Sequence, residues 1–265
     1  GRSAGGWPLY LAAGACLGLF VWIERRLAFP LVDLRLFRRP NFTPAVLVNF
    51  LVGGVLIIAM INVPLLVNVL EVEVERAALV SGWLLSALTG AMALLAYVGG
   101  RLSGRWSYRP VVAAGLVACA AGFALMGQGP ATGLPYGQMA GQLALLGAGF
   151  GLVIAPVGAA VINAAPETQR GVAASLVIVL RLMGMSVGLA GLTAWGLHRF
   201  QLLRTQLTLP PLTDPGFATA FAEGLTRVTV TVLTETFWVS AAVAAVALLA
   251  AWWLRPELDT KIGRG

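Results

Sequence analysis

The sequence predicts an all-α polytopic membrane protein of about seven transmembrane helices, each near the roughly 20 residues that a hydrocarbon core requires. Two observations carry this. Hydrophobic residues make up 58% of the 265 residues and charged residues only 11%, where a soluble domain carries about 25% charged. The mean hydropathy is +0.85, and the apolar residues fall in long runs separated by short polar breaks. The net charge of +7 needs no nucleic-acid partner, because the arginines gather in the breaks.

The first run, residues 8–23, is short but ends on a basic stop, Glu24-Arg25-Arg26. Residues 27–43 form an amphipathic linker too polar to span. The second span is expected over about 45–70, with Asn49, Asn62, Pro64 and Asn68 embedded in it. A third over 79–98 and a fourth over 110–126 flank GGRLSGRWSYRP (99–110), read as a basic turn holding Arg101, Arg105 and Arg109. The fifth, 136–163, is glycine-rich and carries Pro156; the sixth runs over 172–197. A polar segment over 198–234 is broken by Pro210, Pro211 and Pro215. Its ends read equally well as helical extensions forming a hairpin or as a flexible loop. The seventh span is expected over 236–254, followed by a charged tail, 255–265.

Charge counting tests this order. One side collects Arg25, Arg26, Arg35, Arg38, Arg39, Arg101, Arg105, Arg109, Arg170, Arg255, Lys261 and Arg264, twelve in all; the other collects Arg2, Arg76, Arg199, Arg204 and Arg227. Under the positive-inside rule the richer side is cytoplasmic, which places the C-terminus there and the 198–234 segment outside. The expected location is the plasma (inner) membrane, with the bilayer itself as first partner.

Ionisable and polar groups inside a membrane are costly and mark candidate pathways. Arg181 is the one basic residue within an apolar run, about ten residues from the cytoplasmic start of its helix. It reads as a pathway or coupling charge, or as an arginine snorkelling to the interface. No acid in the chain shares its depth, so a counter-ion is expected in sequence outside this chain. Glu235 is expected at the start of the seventh helix, where the macrodipole favours an acid; a proton-carrying role is the alternative. Asn49 and Asn62, thirteen residues apart, fall about 140° apart on a helical wheel at 3.6 residues per turn. They cannot line one face. Asn62 is the cavity candidate, with interhelical hydrogen bonding as the competing reading.

The glycine spacings Gly147–Gly151 and Gly184–Gly188 are small-xxx-small patterns that let helices approach closely. Pro156 removes a helical hydrogen bond and can kink its helix. The two cysteines, Cys16 and Cys119, sit in apolar runs as packing residues, and His198 is a lone histidine. No metal cluster, paired intramembrane acids or Ser/His pair is visible. The chain reads as a non-enzyme without a cofactor.

With the spans placed, the basic turn resembles the signature loop of the major facilitator superfamily, glycine-x-leucine-x-aspartate-arginine-x-glycine-arginine-arginine/lysine. Gly100, Leu102, Arg105 and Arg109 match; Gly104 stands at the aspartate and Ser107 at the second glycine. In the family the matched residues hold cytoplasmic contacts that break on opening. PLVDLRLFRRPNFT (30–43) and the stretch from Gly147 to Ala190 resemble the fourteen-helix drug:proton antiporters, with Leu182 replacing a usual glutamine after Arg181. The resemblance implies a C-terminal six-helix bundle (44–254) preceded by the last of two central helices (1–26).

It further implies alternating access between two bundles, driven by the proton gradient, with a small amphipathic substrate exported and the N-terminal six-helix bundle lying outside this chain. The chain's start, Gly-Arg-Ser, suits a fragment. The alternatives are a lipid or glycolipid exporter of the same superfamily, for which the long 198–234 segment could guide acyl chains, and a non-transporting half-permease scaffold.

Overall fold

The computed structural model describes Gly14, Ala15, Gly18, Leu19, Trp22 and residues 34–71, 73–129, 136–207, 210 and 216–254. Most of the predicted first span, Cys16, the start of the linker and the charged tail lie outside these residues. Among the described residues the fold is all helical. Six helices are long and apolar enough to cross a membrane: α1 (Phe42–Leu70), α2 (Val74–Trp106), α3 (Tyr108–Gly127), α4 (Tyr136–Ala164), α5 (Arg170–Thr205) and α6 (Phe217–Ala251).

The chain enters α1 through a short 3-10 turn, Leu34–Arg38, which pins the linker to the bundle. Leu36 is buried, Phe37 meets Phe42 edge-on at 5.2 Å, and the Thr43 hydroxyl donates to the Phe37 carbonyl. The linker therefore docks before it becomes a span.

Three boundaries differ from the sequence expectation. Helix α2 does not stop at residue 98 but runs through the supposed turn to Trp106. The polar residues there, Arg101, Ser103 and Arg105, are compatible with helix, and a helix satisfies their backbone groups. Helix α5 continues beyond residue 197 to Thr205, and α6 begins at Phe217, not near residue 236. The described parts of 198–234 are thus mostly helical, the hairpin alternative. Glu235 consequently lies in the middle of α6 and is not a helix-start acid. The apolar window underestimated both helices because amphipathic helix continues where hydrophobicity falls.

The packing is symmetric under exchange of the first three helices with the last three. The most extensive contact is α2 on α4, and its counterpart, α1 on α5, is also extensive; α3 against α4 is answered by α1 against α6. Such internally repeated triplets are the building plan that the major facilitator resemblance implies for each half. In both tight pairs the helices run parallel and meet through glycine. A Cβ on Gly147 would strike the Leu88 carbonyl, and one on Gly151 the Met92 carbonyl and, at 2.7 Å, the Ala96 nitrogen. In the counterpart seam, a Cβ on Gly184 would strike the Phe50 carbonyl, and one on Gly188 would lie 2.5 Å from the Gly54 Cα. The small-residue patterns act here as packing surfaces.

Between the seams lies a core of Phe123, Phe150 and Phe237, fully buried; Phe123 meets Phe150 edge-on at 6.0 Å and stacks with Phe237 at 6.4 Å. Cys119 is buried with them as a free thiol, as expected. Pro156 is buried within an uninterrupted α4. At the Leu70 end of the bundle, Tyr136 donates to Glu71, which also pairs with Arg76 at 3.6 Å, tying the ends of α1, α2 and α4 together.

Helices α5 and α6 run past the end of α3. Helix α3, 20 residues and about 30 Å long at 1.5 Å per residue, ends at Gly127, whose Cβ would meet the Trp238 indole at 2.8 Å. Trp238 is therefore level with the end of α3, and the 21 residues of α6 from Phe217 to Phe237 project beyond it.

Replacing Gly184 with Val is expected to drive the α1–α5 seam apart and cost about 1–3 kcal/mol, the usual scale of overpacking. A lowered melting temperature of the detergent-solubilised full-length protein checks this. Gly191→Ala, on the same helix with open space around it, should leave the temperature unchanged.

Candidate functional site

The α1–α5 seam holds the intramembrane arginine. Arg181 lies eleven residues into α5, about 16 Å from its start at 1.5 Å per residue, near mid-depth of a bilayer core. Its Nε donates to the Asn49 Oδ1 at 3.0 Å, and the Asn49 amide donates in turn to the Val177 carbonyl at 2.7 Å. Asn49 is buried and Arg181 half-buried. The side-chain amide thus fixes one edge of the guanidinium and caps a carbonyl one turn away on the same helix. The backbone of Arg181 presses on Gly53, where any Cβ would strike its carbonyl. The glycine seam and the charge are one structure: close approach lets a short asparagine reach across.

Asn62 faces elsewhere, as the wheel requires. Its amide donates to the Thr236 hydroxyl at 2.6 Å, joining α1 to α6. The Thr236 hydroxyl donates to Leu233, and the Ser240 hydroxyl donates to the Thr236 carbonyl, within α6. This bond is of the interhelical kind that the sequence offered as one of two readings for Asn62. Asn68 turns back onto the Pro64 carbonyl of its own helix.

The second charged feature joins α5 to α6. The Arg199 Nε and Nη2 donate to the two carboxylate oxygens of Glu235 at 2.8 and 2.9 Å, a bidentate fork. The pair is partly exposed and lines an open cleft of about 460 Å³ with Trp195, His198, Leu202, Trp238 and Val239. Sequence reasoning weighed Glu235 alone. The signal available was an opposite charge on each of two amphipathic helices flanking one loop.

The signature segment is a helix end, a one-residue break and a helix start. Gly100 and Arg105 are exposed and Leu102 half-buried on α2. Ser107, where the family pattern has glycine, is the whole link between α2 and α3 and adopts φ 114°, ψ 163°, a region nearly confined to glycine. Three residues not singled out from the sequence, Tyr108, Asn163 and Trp252, anchor it. Tyr108 is buried and accepts a bond from the Asn163 amide at 2.7 Å, and the Arg109 guanidinium stacks on the Trp252 ring at 3.9 Å. These tie α3 to the ends of α4 and α6. Among the described residues no group of His, Cys, Asp and Glu could hold a metal ion.

Six apolar helices in two related triplets, with charge placed on inner seams, define half of a helical membrane transporter. Residues 4–189 match the Major Facilitator Superfamily, and the chain belongs to that family. Over 217 residues it is 37% identical to a triacylglyceride transporter of Mycolicibacterium hassiacum, covering 77% of this chain and 40% of that protein. It is 32% identical to a triacylglyceride transporter of Mycobacterium tuberculosis, covering 78% of this chain and 42% of that protein. A probable triacylglyceride transporter of Mycobacterium leprae is 30% identical, covering 89% and 48%. The chain thus spans less than half the length of these curated relatives. Among solved structures, the Escherichia coli fucose:proton symporter matches with a TM-score of 0.55 at 17% identity, covering 82% of this chain and 50% of that one; this likeness speaks for the fold alone.

Two measurements follow. Asn49→Ala and Arg181→Ala should be non-additive in a double-mutant cycle on thermal stability, with a coupling of about 0.5–3 kcal/mol for groups in direct contact. Ser107→Gly should raise stability by about 1 kcal/mol by removing backbone strain, seen as a higher melting temperature with no loss of α-helical circular dichroism.

Proposed function

We propose that this chain is the C-terminal half of a proton-coupled exporter of neutral lipids, which works by alternating access with a second bundle outside the chain. The observation that carries the reading is the α5–α6 pair, which continues past the end of α3 as helix and gives a lipid a surface to follow out of the membrane. The exposed apolar side chains of α5, among them Leu197 and Leu202, support an acyl-chain path. The triacylglyceride transporters among the relatives turn the substrate class from amphipathic drugs to lipids.

Within this reading Arg181 is the coupling candidate. Asn49 holds only its Nε edge, so the Nη groups are available to an acid of the other half. The arginine bias supports a cytoplasmic C-terminus and an α5–α6 pair facing the outer side of the inner membrane. Gly100, Leu102, Arg105 and Arg109, with Tyr108 and Trp252, form the cytoplasmic gate contacts.

The test is transfer of labelled triacylglycerol from proteoliposomes containing the full-length protein, with an imposed proton gradient. Transfer should be abolished by a protonophore and reduced about tenfold, the effect of 1.4 kcal/mol, by Arg181→Ala. Protonophore-sensitive efflux of cationic dyes without lipid transfer would restore the drug-antiporter reading. Neither activity in correctly inserted protein would point to the scaffold.

A further inference from the structure

We propose that the cleft between α5 and α6, built around the Arg199–Glu235 pair, is a binding subsite for the ester-bearing glycerol end of a neutral acylglycerol. The inference rests on the lipid-export reading and adds where, and through which residues, the lipid is recognised.

Depth comes first. A Cβ on Gly127 would meet Trp238, and one on Gly129 would lie 3.5 Å from the Thr234 side chain, so the pair lies level with the end of α3. That helix is about 30 Å long at 1.5 Å per residue, matching the hydrocarbon thickness. The cleft is therefore at the membrane rim opposite Trp252 and Trp253. Two tryptophans, Trp195 and Trp238, line it, the residue type that settles where hydrocarbon gives way to headgroups. An acylglycerol leaving the bilayer along α5 and α6 must pass this level.

Chemistry then selects the ligand. The fork uses the Nε and one Nη of Arg199 and both oxygens of Glu235. The pair is neutral as a unit, and Arg199 still carries the protons of its second Nη and one more on the first. Trp195 adds an indole N–H, which can only donate. His198 adds an imidazole that offers an N–H donor, and the remaining walls, Leu202, Val239 and the tryptophan faces, are apolar. A cleft without net charge, with hydrogen-bond donors on apolar walls, complements ester carbonyls, which only accept. A phosphate would meet an arginine already neutralised and a carboxylate beside it. The volume of about 460 Å³ falls in the range of about 300–1,000 Å³ for small-ligand sites, enough for the esterified glycerol while the acyl chains extend along exposed apolar side chains.

The experiment uses the full-length protein in phosphatidylcholine nanodiscs. A triacylglycerol carrying a diazirine near its ester is photolysed, and labelled peptides are located by mass spectrometry. Labelling is expected on the peptides bearing Trp195–Leu202 and Trp238–Val239. In Arg199→Met/Glu235→Leu, which replaces the pair by apolar residues of similar size, labelling should fall about tenfold, the scale of losing two anchoring hydrogen bonds, at an unchanged melting temperature. Excess triacylglycerol should compete, and excess phosphatidic acid should not. Undiminished labelling in the double variant, labelling elsewhere only, or equal competition by phosphatidic acid would overturn the assignment. Triacylglycerol transfer by the wild type is measured in parallel: transfer without cleft labelling removes the subsite alone, whereas absent transfer removes the lipid-export reading.

Discussion

The bundle depends on backbone-to-backbone approach at its glycine seams. Between helices in lipid there is no hydrophobic driving force, because lipid tails are as apolar as leucine, so association rests on van der Waals packing and interhelical hydrogen bonds. Gly147 and Gly151 let α4 rest on the carbonyls of Leu88 and Met92, and Gly184 and Gly188 let α5 rest on Phe50 and Gly54. A methyl group at any of these positions has no room. The same approach distance lets Asn49 reach Arg181, so the main intramembrane charge is held by packing as much as by polarity.

The symmetric use of these seams has a mechanical meaning. Each triplet contributes one tight parallel pair with the other, and the aromatic core of Phe123, Phe150 and Phe237 fills the space between. A half built this way is packed as one body across its two triplets. The contacts at the two ends differ in kind. Tyr108 with Asn163 and Arg109 over Trp252 tie the signature end; Tyr136, Glu71 and Arg76 tie the other. Both are small polar clusters at the ends of the helices.

The α5–α6 pair, where it runs past the end of α3, departs from this compactness. Beyond the end of α3 it still meets α1 through the Asn62–Thr236 bond, but no residue of α5 after Gly184 is buried. Arg199 and Glu235 join the two helices near the level at which α3 ends. A bidentate fork there fixes their separation more rigidly than apolar side chains at an exposed surface would.

The sequence by itself determined the all-helical membrane class, the order of the spans and the packing role of the glycines, because length, hydropathy and small-residue spacing act locally. The wheel angle between Asn49 and Asn62 already required them to face different neighbours. What the tertiary structure decided was each partner. Asn49 meets Arg181 from 132 residues away, Asn62 meets Thr236, and Glu235 meets Arg199, and none of these pairings follows from local chemistry. Helix ends were also beyond the apolar window: α2 carries its arginines to Trp106, and α6 begins at Phe217, because an amphipathic helix satisfies its backbone as well as an apolar one does. Glu235 changed meaning for that reason, from a terminal acid to the mid-helix partner of an arginine.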